Sequence, residues 1–189
     1  VPASGVVPAS LASNIISGQT ALAATPADTD EFLISDAGTI KRIDYSLIKP
    51  TNTPSFSVYR DATLSISNTT DTIIVFDTED FDTDSAYNVS DGKFTVPSGK
   101  GGKYFFHTFT RYQYAADTLK NFNMQIHVNN SRVAQTNLRG AVYPGIACST
   151  LANLSAGDYV QVKVQHDIGS ATEITSIAGY NEFSGFKLI

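Results

Sequence analysis

YNVSDGKFTVPSGKGGKYFFHTF, residues 87–109, decides the fold of this chain. Ser90, Asp91, Gly92 and Lys93 form a tight-turn signal, because Gly92 has no Cβ and can take the positive φ that a two-residue hairpin needs. Phe94, Thr95 and Val96 read as a short extended run. Pro97 closes it, since a residue without an N–H cannot donate to a ladder and suits a strand end or edge. Residues 98–102 are small and glycine-rich, a loop free to turn either way. Tyr104, Phe105, Phe106, His107 and Phe109 then place five rings in six positions, which predicts a strand buried on both faces. The stretch reads strand, turn, strand, loop, strand.

The chain on either side of it keeps the same pattern from about residue 53. Thr51, Asn52, Thr53 and Pro54 mark a boundary, as proline among small polar residues does. Residues 56–59 and 64–66 read as short strands of period two, and the β-branched run 72–77 predicts another. Further strands are expected over 122–128, 133–138, 146–151, 159–165 and 174–189. Closely spaced strands with polar turns and no long helix predict a β-sandwich or barrel. The order of elements alone leaves jelly-roll and immunoglobulin-like arrangements open. A single cysteine and no tryptophan count against a disulfide-bonded immunoglobulin domain.

Before the boundary the chain changes character. Residues 1–27 are mostly Ala, Ser, Val, Thr and Pro, too poor in large side chains to fold alone, and predict an extended arm. Residues 28–50, DTDEFLISDAGTIKRIDYSLIKP, predict a small hairpin around Asp36, Ala37, Gly38 and Thr39. One helical turn capped by Asp44 is expected to close it. The organisation is therefore an arm with a hairpin module over residues 1–52 and a β domain over 53–189.

Composition narrows the function. A chain 42% hydrophobic and 16% charged folds, and a net charge of -5 lacks the basic footprint of a nucleic-acid binder. No apolar run approaches the length of a membrane span. Cys148 is the only cysteine, so no intrachain disulfide forms, and the domain must be held by its core and by oligomerisation.

Several residues are of types that can carry chemistry. His107, His127 and His166 all fall on predicted strands, but their spacing does not demand zinc and they read as packing residues. Asp80, Asp82 and Asp84, if strand alternation held, would share one face and offer calcium hard oxygen ligands. The ordinary reading, a solvated edge whose charge deters strand-to-strand aggregation, is preferred. Cys148 on an apolar strand reads as a small buried hydrophobe and not as a nucleophile. With no nucleophile elbow and no phosphate loop, no catalytic residue and no cofactor are assigned. Asn68, Asn88, Asn129 and Asn153 begin N-x-S/T sequences, which a chain rich in these residues produces by chance. Tyr112, Tyr114 and Tyr143, near predicted loops with Phe122, could form a ligand face for a glycan or protein, or part of a subunit interface.

Tyr87, Asn88, Gly92, Phe94, Pro97, Gly102, Tyr104 and Phe106 together resemble the core signature of the C1q family, within the wider C1q/TNF-like group. LSAGDYVQV at 154–162 resembles the family's L-x-x-G-D-x-V-x-V strand, and FSGFKLI at 183–189 its closing strand. Three motifs in order span about residues 54–189. The resemblance implies an all-β, ten-strand-type jelly-roll sandwich that assembles as a homotrimer. It also implies that Tyr87, Phe94, Tyr104, Phe106, Phe183, Gly185 and Phe186 are trimer-interface or core residues, and it admits calcium near the trimer top. The hairpin module, D-E-x-L-I-S-D-A-G-T-x-K-R-I, resembles segments of structural proteins of tailed bacteriophages, especially marine and cyanobacterial ones. The two resemblances together imply a non-enzymatic protein of the virion surface. Residues 1–52 would attach to other virion proteins, and the exposed head would serve as capsid decoration, head fibre or tail fibre, able to bind a host cell-surface glycan or protein. The alternative is a secreted C1q-like recognition protein or lectin of a cellular organism.

Overall fold

A computed structural model describes residues 17–49, 51–116, 119–177 and 179–188. The chain divides into two compact units, one ending at Pro50 and one starting at Thr51. The first sixteen residues of the expected arm lie outside the described residues, and residues 17–27 carry neither helix nor strand.

The first unit is built on one hairpin. Strand β1 (Glu31–Asp36) pairs antiparallel with β2 (Thr39–Asp44), in register from Glu31 with Asp44 to Asp36 with Thr39. Ala37 (φ 48°) and Gly38 (φ 85°) both have positive φ, as a primed two-residue turn requires. A 3-10 turn over Tyr45–Leu47 follows, but the Asp44 side chain makes no capping bond. The expected cap is therefore absent; the turn is tied back instead by Tyr45 N–H donating to Asp30 O at 2.7 Å.

The second unit is a two-sheet antiparallel sandwich. Its strands are β3 (Ser55–Tyr59), β4 (Leu64–Ile66), β5 (Thr72–Ile73), β6 (Thr78–Asp82), β7 (Tyr87–Asn88), β8 (Lys93–Thr95) and β9 (Gly102–Arg111). After them come β10 (Asn121–Val128), β11 (Ser131–Arg139), β12 (Gly145–Leu154), β13 (Tyr159–His166), β14 (Thr172–Ile174) and β15 (Glu182–Lys187). One sheet has the order β12-β9-β15-β3-β6. The other runs β11-β10-β13-β8-β7, with β5 also paired to β13, and β14-β4 forms a small ribbon.

Residues 87–109 hold the two sheets together. The β7–β8 hairpin pairs Tyr87 with Phe94 and Asn88 with Lys93, so four residues form its loop in place of the expected two. Gly92 (φ 70°) is required there, because a Cβ would come within 2.9 Å of Ile74 O. Tyr104 and Phe106 on β9 meet Phe94 from the opposite sheet with ring centroids 5.6 and 5.5 Å apart. Phe56 closes the stack at 4.8 Å from Phe94 and 5.0 Å from Phe183. Tilted and edge-to-face pairs of this kind add about 0.5–1.5 kcal/mol each beyond the area they bury.

Three expected elements are redrawn. The run 72–77 pairs with β13 through Thr72 and Ile73, and Ile74 N–H adds one bond to Val162 O at 3.0 Å. Ile74 and Phe76 then turn fully into the core, where Phe76 N–H donates to the Tyr87 hydroxyl at 3.1 Å. The acidic run 78–82 is itself a strand, β6, at the edge of its sheet, where charge is tolerated. The long final strand is interrupted after Ile174. Asn181, fully buried, bridges the break by donating to Thr175 O and accepting from the Thr110 hydroxyl at 2.5 Å.

Candidate functional site

β9 is buried on one face only. Tyr104, Phe106, Thr108 and Thr110 point inward, while Phe105, His107, Phe109 and Arg111 alternate outward and stay half-buried. The expectation of a strand covered on both faces is thus met on one face within the single chain.

Register builds the outward face row by row. Leu151, Phe105, Phe186 and Ser55 lie side by side across β12, β9, β15 and β3. The next row is Ser149, His107, Ser184, Ser57 and Phe81, and the third is Ala147, Phe109, Glu182 and Tyr59. Phe105 and Phe186 touch, with centroids 5.7 Å apart. Leu151 is 68% exposed and Phe81 50% exposed. Such a patch, with Leu151, Phe105, Phe186, Phe81, Phe109 and Tyr59 around the polar centre of Ser149, His107 and Ser184, is the kind of surface that marks a protein–protein contact. In that middle row the His107 Nδ1 lies 2.8 Å from Ser149 Oγ, and its Nε2 is 3.8 Å from a Glu182 carboxylate oxygen.

The sequence-derived site residues divide between this face and the core. Tyr87, Phe94, Tyr104, Phe106 and Phe183 are buried inside the single chain, and Gly185 packs beneath them. A Cβ at Gly185 would lie 2.5 Å from Phe106 Cδ1 and 2.9 Å from Phe56 Cε1, so a hydrogen is all the space allows. Burial, with Asp84 nearby, pushes the Tyr104 phenol up to about 12, and its hydroxyl donates to Lys100 O at 2.6 Å. Burial also raises the Tyr87 phenol. Phe186 alone of the set faces outward.

The three tyrosines proposed as a ligand face do not form one. Tyr112 is a core residue, fully buried, with its hydroxyl near Asn123 O (3.0 Å) and Gln165 O (3.2 Å) and its ring 4.8 Å from Phe122. The one phenol proton has two main-chain carbonyls within reach. Tyr114 is half-buried, its ring 5.6 Å from Phe122. Tyr143 is 41% exposed and carries the Arg111 guanidinium over its ring at 5.2 Å.

The acidic run is not a shared face either. The register of β3 with β6 passes from Phe81 to Glu79 across a bulge at Asp80, and the strand ends at Asp82. Alternation is therefore broken among Asp80, Asp82 and Asp84. Each carboxylate is engaged locally: Asp80 accepts from Ser57 Oγ at 3.0 Å, Asp82 from Tyr87 N–H at 2.7 Å, and Asp84 pairs with Lys100 at 3.4 Å. Among the described residues no three His, Cys, Asp or Glu side chains gather as a metal site. His127 and His166 are packed on the other sheet, His166 with its Nε2 2.9 Å from Ile66 O. Cys148 is buried, and burial raises its thiol.

Phe105, Phe109, Tyr59, Phe81 and Leu151 form one surface that no local spacing brings together. The signal lies in residues 104–109, whose rings fall into two alternating sets, one inward and one outward.

The comparisons agree with this geometry. No curated protein matches the chain in sequence. The globular domain of zebrafish complement 1qA superposes with a TM-score of 0.50 at 17% identity, covering 72% of this chain and 98% of that one. Eiger TNF from S. frugiperda gives 0.51 at 12% identity, covering 74% and 94%, and murine APRIL at pH 8.5 gives 0.53 at 11%, covering 71% and 98%. At these identities they show the fold, a C1q/TNF-like jelly roll. Residues 55–188 match the C1q domain, and on that match, which takes in most of the chain, the protein belongs to the C1q domain family.

Proposed function

We propose that the chain is a non-enzymatic structural protein of a tailed-bacteriophage virion. It works as a homotrimer, with residues 1–52 attached to the particle and the C1q domain exposed on the virion surface as capsid decoration, head fibre or tail fibre. The observation that carries the assembly is the outward face of the five-stranded sheet, where Phe105 and Phe186 lie half-buried beside the exposed Leu151 in one chain. Covering what remains exposed of such side chains contributes up to about 1.5–3 kcal/mol each, the full figure applying only to one that starts in solvent. The particle assignment is supported by the hairpin module of residues 28–49, through its resemblance to phage structural proteins. Among the described residues no helix is long and apolar enough to cross a membrane.

A trimer carried in many copies turns weak contacts with a host cell-surface glycan or protein into useful avidity. The loops at the ends of the sandwich, including that of Tyr143 stacked on Arg111, are the surfaces available for such contacts. The test is to raise antibody against the recombinant chain and apply it to intact particles from the source. Labelling of tailed particles at their capsid or fibres is the expected result. Antigen found only as free secreted protein from cells would overturn the virion assignment in favour of a secreted C1q-like recognition protein.

A further inference from the structure

Arg111 closes β9 at the end of the five-stranded sheet. Its guanidinium carbon stands 5.2 Å from the centre of the Tyr143 ring and 4.9 Å from that of Tyr180. β9 runs between β12 and β15, so the two rings approach it from opposite sides. Tyr143 is fixed there by a left-handed backbone (φ 49°), uncommon for a residue with a Cβ, and by its N–H donating to Tyr114 O at 2.6 Å. On β12 the residue paired with Arg111 is Gly145, and the Phe109 ring occupies the space that a side chain there would need. What the guanidinium lacks is an acceptor. Rings attract a cation without satisfying its N–H groups, and among the described residues no carboxylate or carbonyl oxygen takes a bond from Arg111. By contrast Arg42 and Arg60 meet Glu31 and Asp77, and Glu182, across from Phe109, is set 3.8 Å from His107.

We propose that Arg111, Tyr143 and Tyr180 form a binding site for a sugar that carries a carboxylate. The inference rests on the reading of the domain as an exposed host-binding head and names the ligand class of that surface. The chain enters the domain where Lys187 N–H donates to Pro54 O, at the Gly102 end of β9. Arg111 lies at the other end of that ten-residue strand, roughly 30 Å away and turned from the attached arm. It is also about 20 Å along β9 from Phe105, in the row on which assembly is argued. A carboxylate accepts two parallel bonds from the edge of a guanidinium, which a neutral sugar cannot do. The rest of the ligand has to suit the rings. Tyr143 is 41% exposed and Tyr180 half-buried, so aromatic surface remains beside the cation. A ring face is negative and attracts the polarised C–H groups on one side of a pyranose. An acidic peptide brings the carboxylate without that flat C–H face.

The test uses the full chain and a glucuronic-acid-terminated disaccharide, with the neutral glucose disaccharide and tetraglutamate as comparators. Saturation-transfer NMR and titration calorimetry read binding, and light scattering gives the mass of each variant. The expected result is saturation of the ring protons of the acidic disaccharide alone. Arg111→Lys and Arg111→Gln should each lose about tenfold or more in affinity at unchanged mass, because neither offers the planar fork. Binding that survives Arg111→Gln overturns the site, as does a wild-type protein of trimeric mass that binds no acidic disaccharide; both leave the trimeric reading standing. Equal binding of the neutral disaccharide overturns the role of the carboxylate, and equal binding of tetraglutamate overturns the sugar in favour of an acidic peptide. A monomer that binds the acidic disaccharide through Arg111 supports the site and overturns the trimer.

Discussion

The hairpin of residues 31–44 and the sandwich of residues 55–187 are made of the same kind of strand, and they differ in where their apolar side chains end up. In the sandwich, each alternating set from one sheet meets a set from the other, and the largest side chains, Tyr104, Tyr112, Phe56 and Phe183 among them, are below 2% exposed. In the hairpin, Leu33 and Ile40 stand in solvent. The first is a structure that a single chain completes. The second leaves its Leu33 and Ile40 face open within the single chain, and the outward face of β9 and β15 lies between these extremes. Apolar alternation thus specifies which face is to be buried without specifying whose atoms bury it.

The sharpest way to break the contrast is to empty the sandwich core. Phe183→Ala removes a ring that touches Phe56 at 5.0 Å and Phe76 at 5.8 Å, and it should cost about 3–5 kcal/mol in urea unfolding. Leu33→Ala should leave the unfolding of the domain within about 0.5 kcal/mol of wild type. Next in size is the outward face. Phe186→Asp should weaken self-association by roughly 10- to 100-fold, the equivalent of about 1.5–3 kcal/mol, with the circular dichroism of the monomer unchanged. Unfolding of the Phe186→Asp monomer would instead place Phe186 in the core.

Gly185→Ala sharpens the comparison from inside. The added Cβ would press on Phe106 and Phe56, both held in the stack, so a loss of about 1–3 kcal/mol is expected in thermal or chemical unfolding. The smallest effect concerns pH. Hydrogen bonds from the Asn129 side chain and Ser155 N–H lower the Asp158 carboxyl, and those from Asn121 main-chain and side-chain N–H lower that of Asp167. A carboxyl depressed in the folded state adds stability above its unfolded value, about 3.9, and that contribution is lost as pH falls below it. Both groups are exposed, so the effect is slight. It should appear as a shallow loss of stability below about pH 4 that is smaller in Asp167→Asn.

How far the sequence reached can be followed in particular residues. The turn at Ala37 and Gly38 was legible because positive φ at two adjacent positions has a local chemical signature. The C1q motifs were legible because their glycines and aromatics occupy positions with no substitute, as Gly185 under Phe106 illustrates. The acidic run was legible as a charged edge, since repeated carboxylates deter strand addition, but the bounds of β6 and its bulge at Asp80 were not, because they depend on the pairing with β3. The burial of Tyr112 is not legible in the sequence, since nothing local reveals that Asn123 O and Gln165 O, 11 and 53 residues away, lie within reach of its hydroxyl. The break after Ile174 was hidden for the same reason, its support being the side chain of Asn181. The outward face escaped because Phe105 and Phe109 look, in one dimension, like the second buried side of a core strand.

The measurement that bears most directly on this account is the solution mass of the full-length protein by light scattering, beside Phe186→Asp. Assembly through the outward face of the five-stranded sheet predicts three times the 20.3 kDa chain mass for the first and a shift to the single-chain mass for the second. A wild-type protein that stays at the single-chain mass across the concentration range would contradict it.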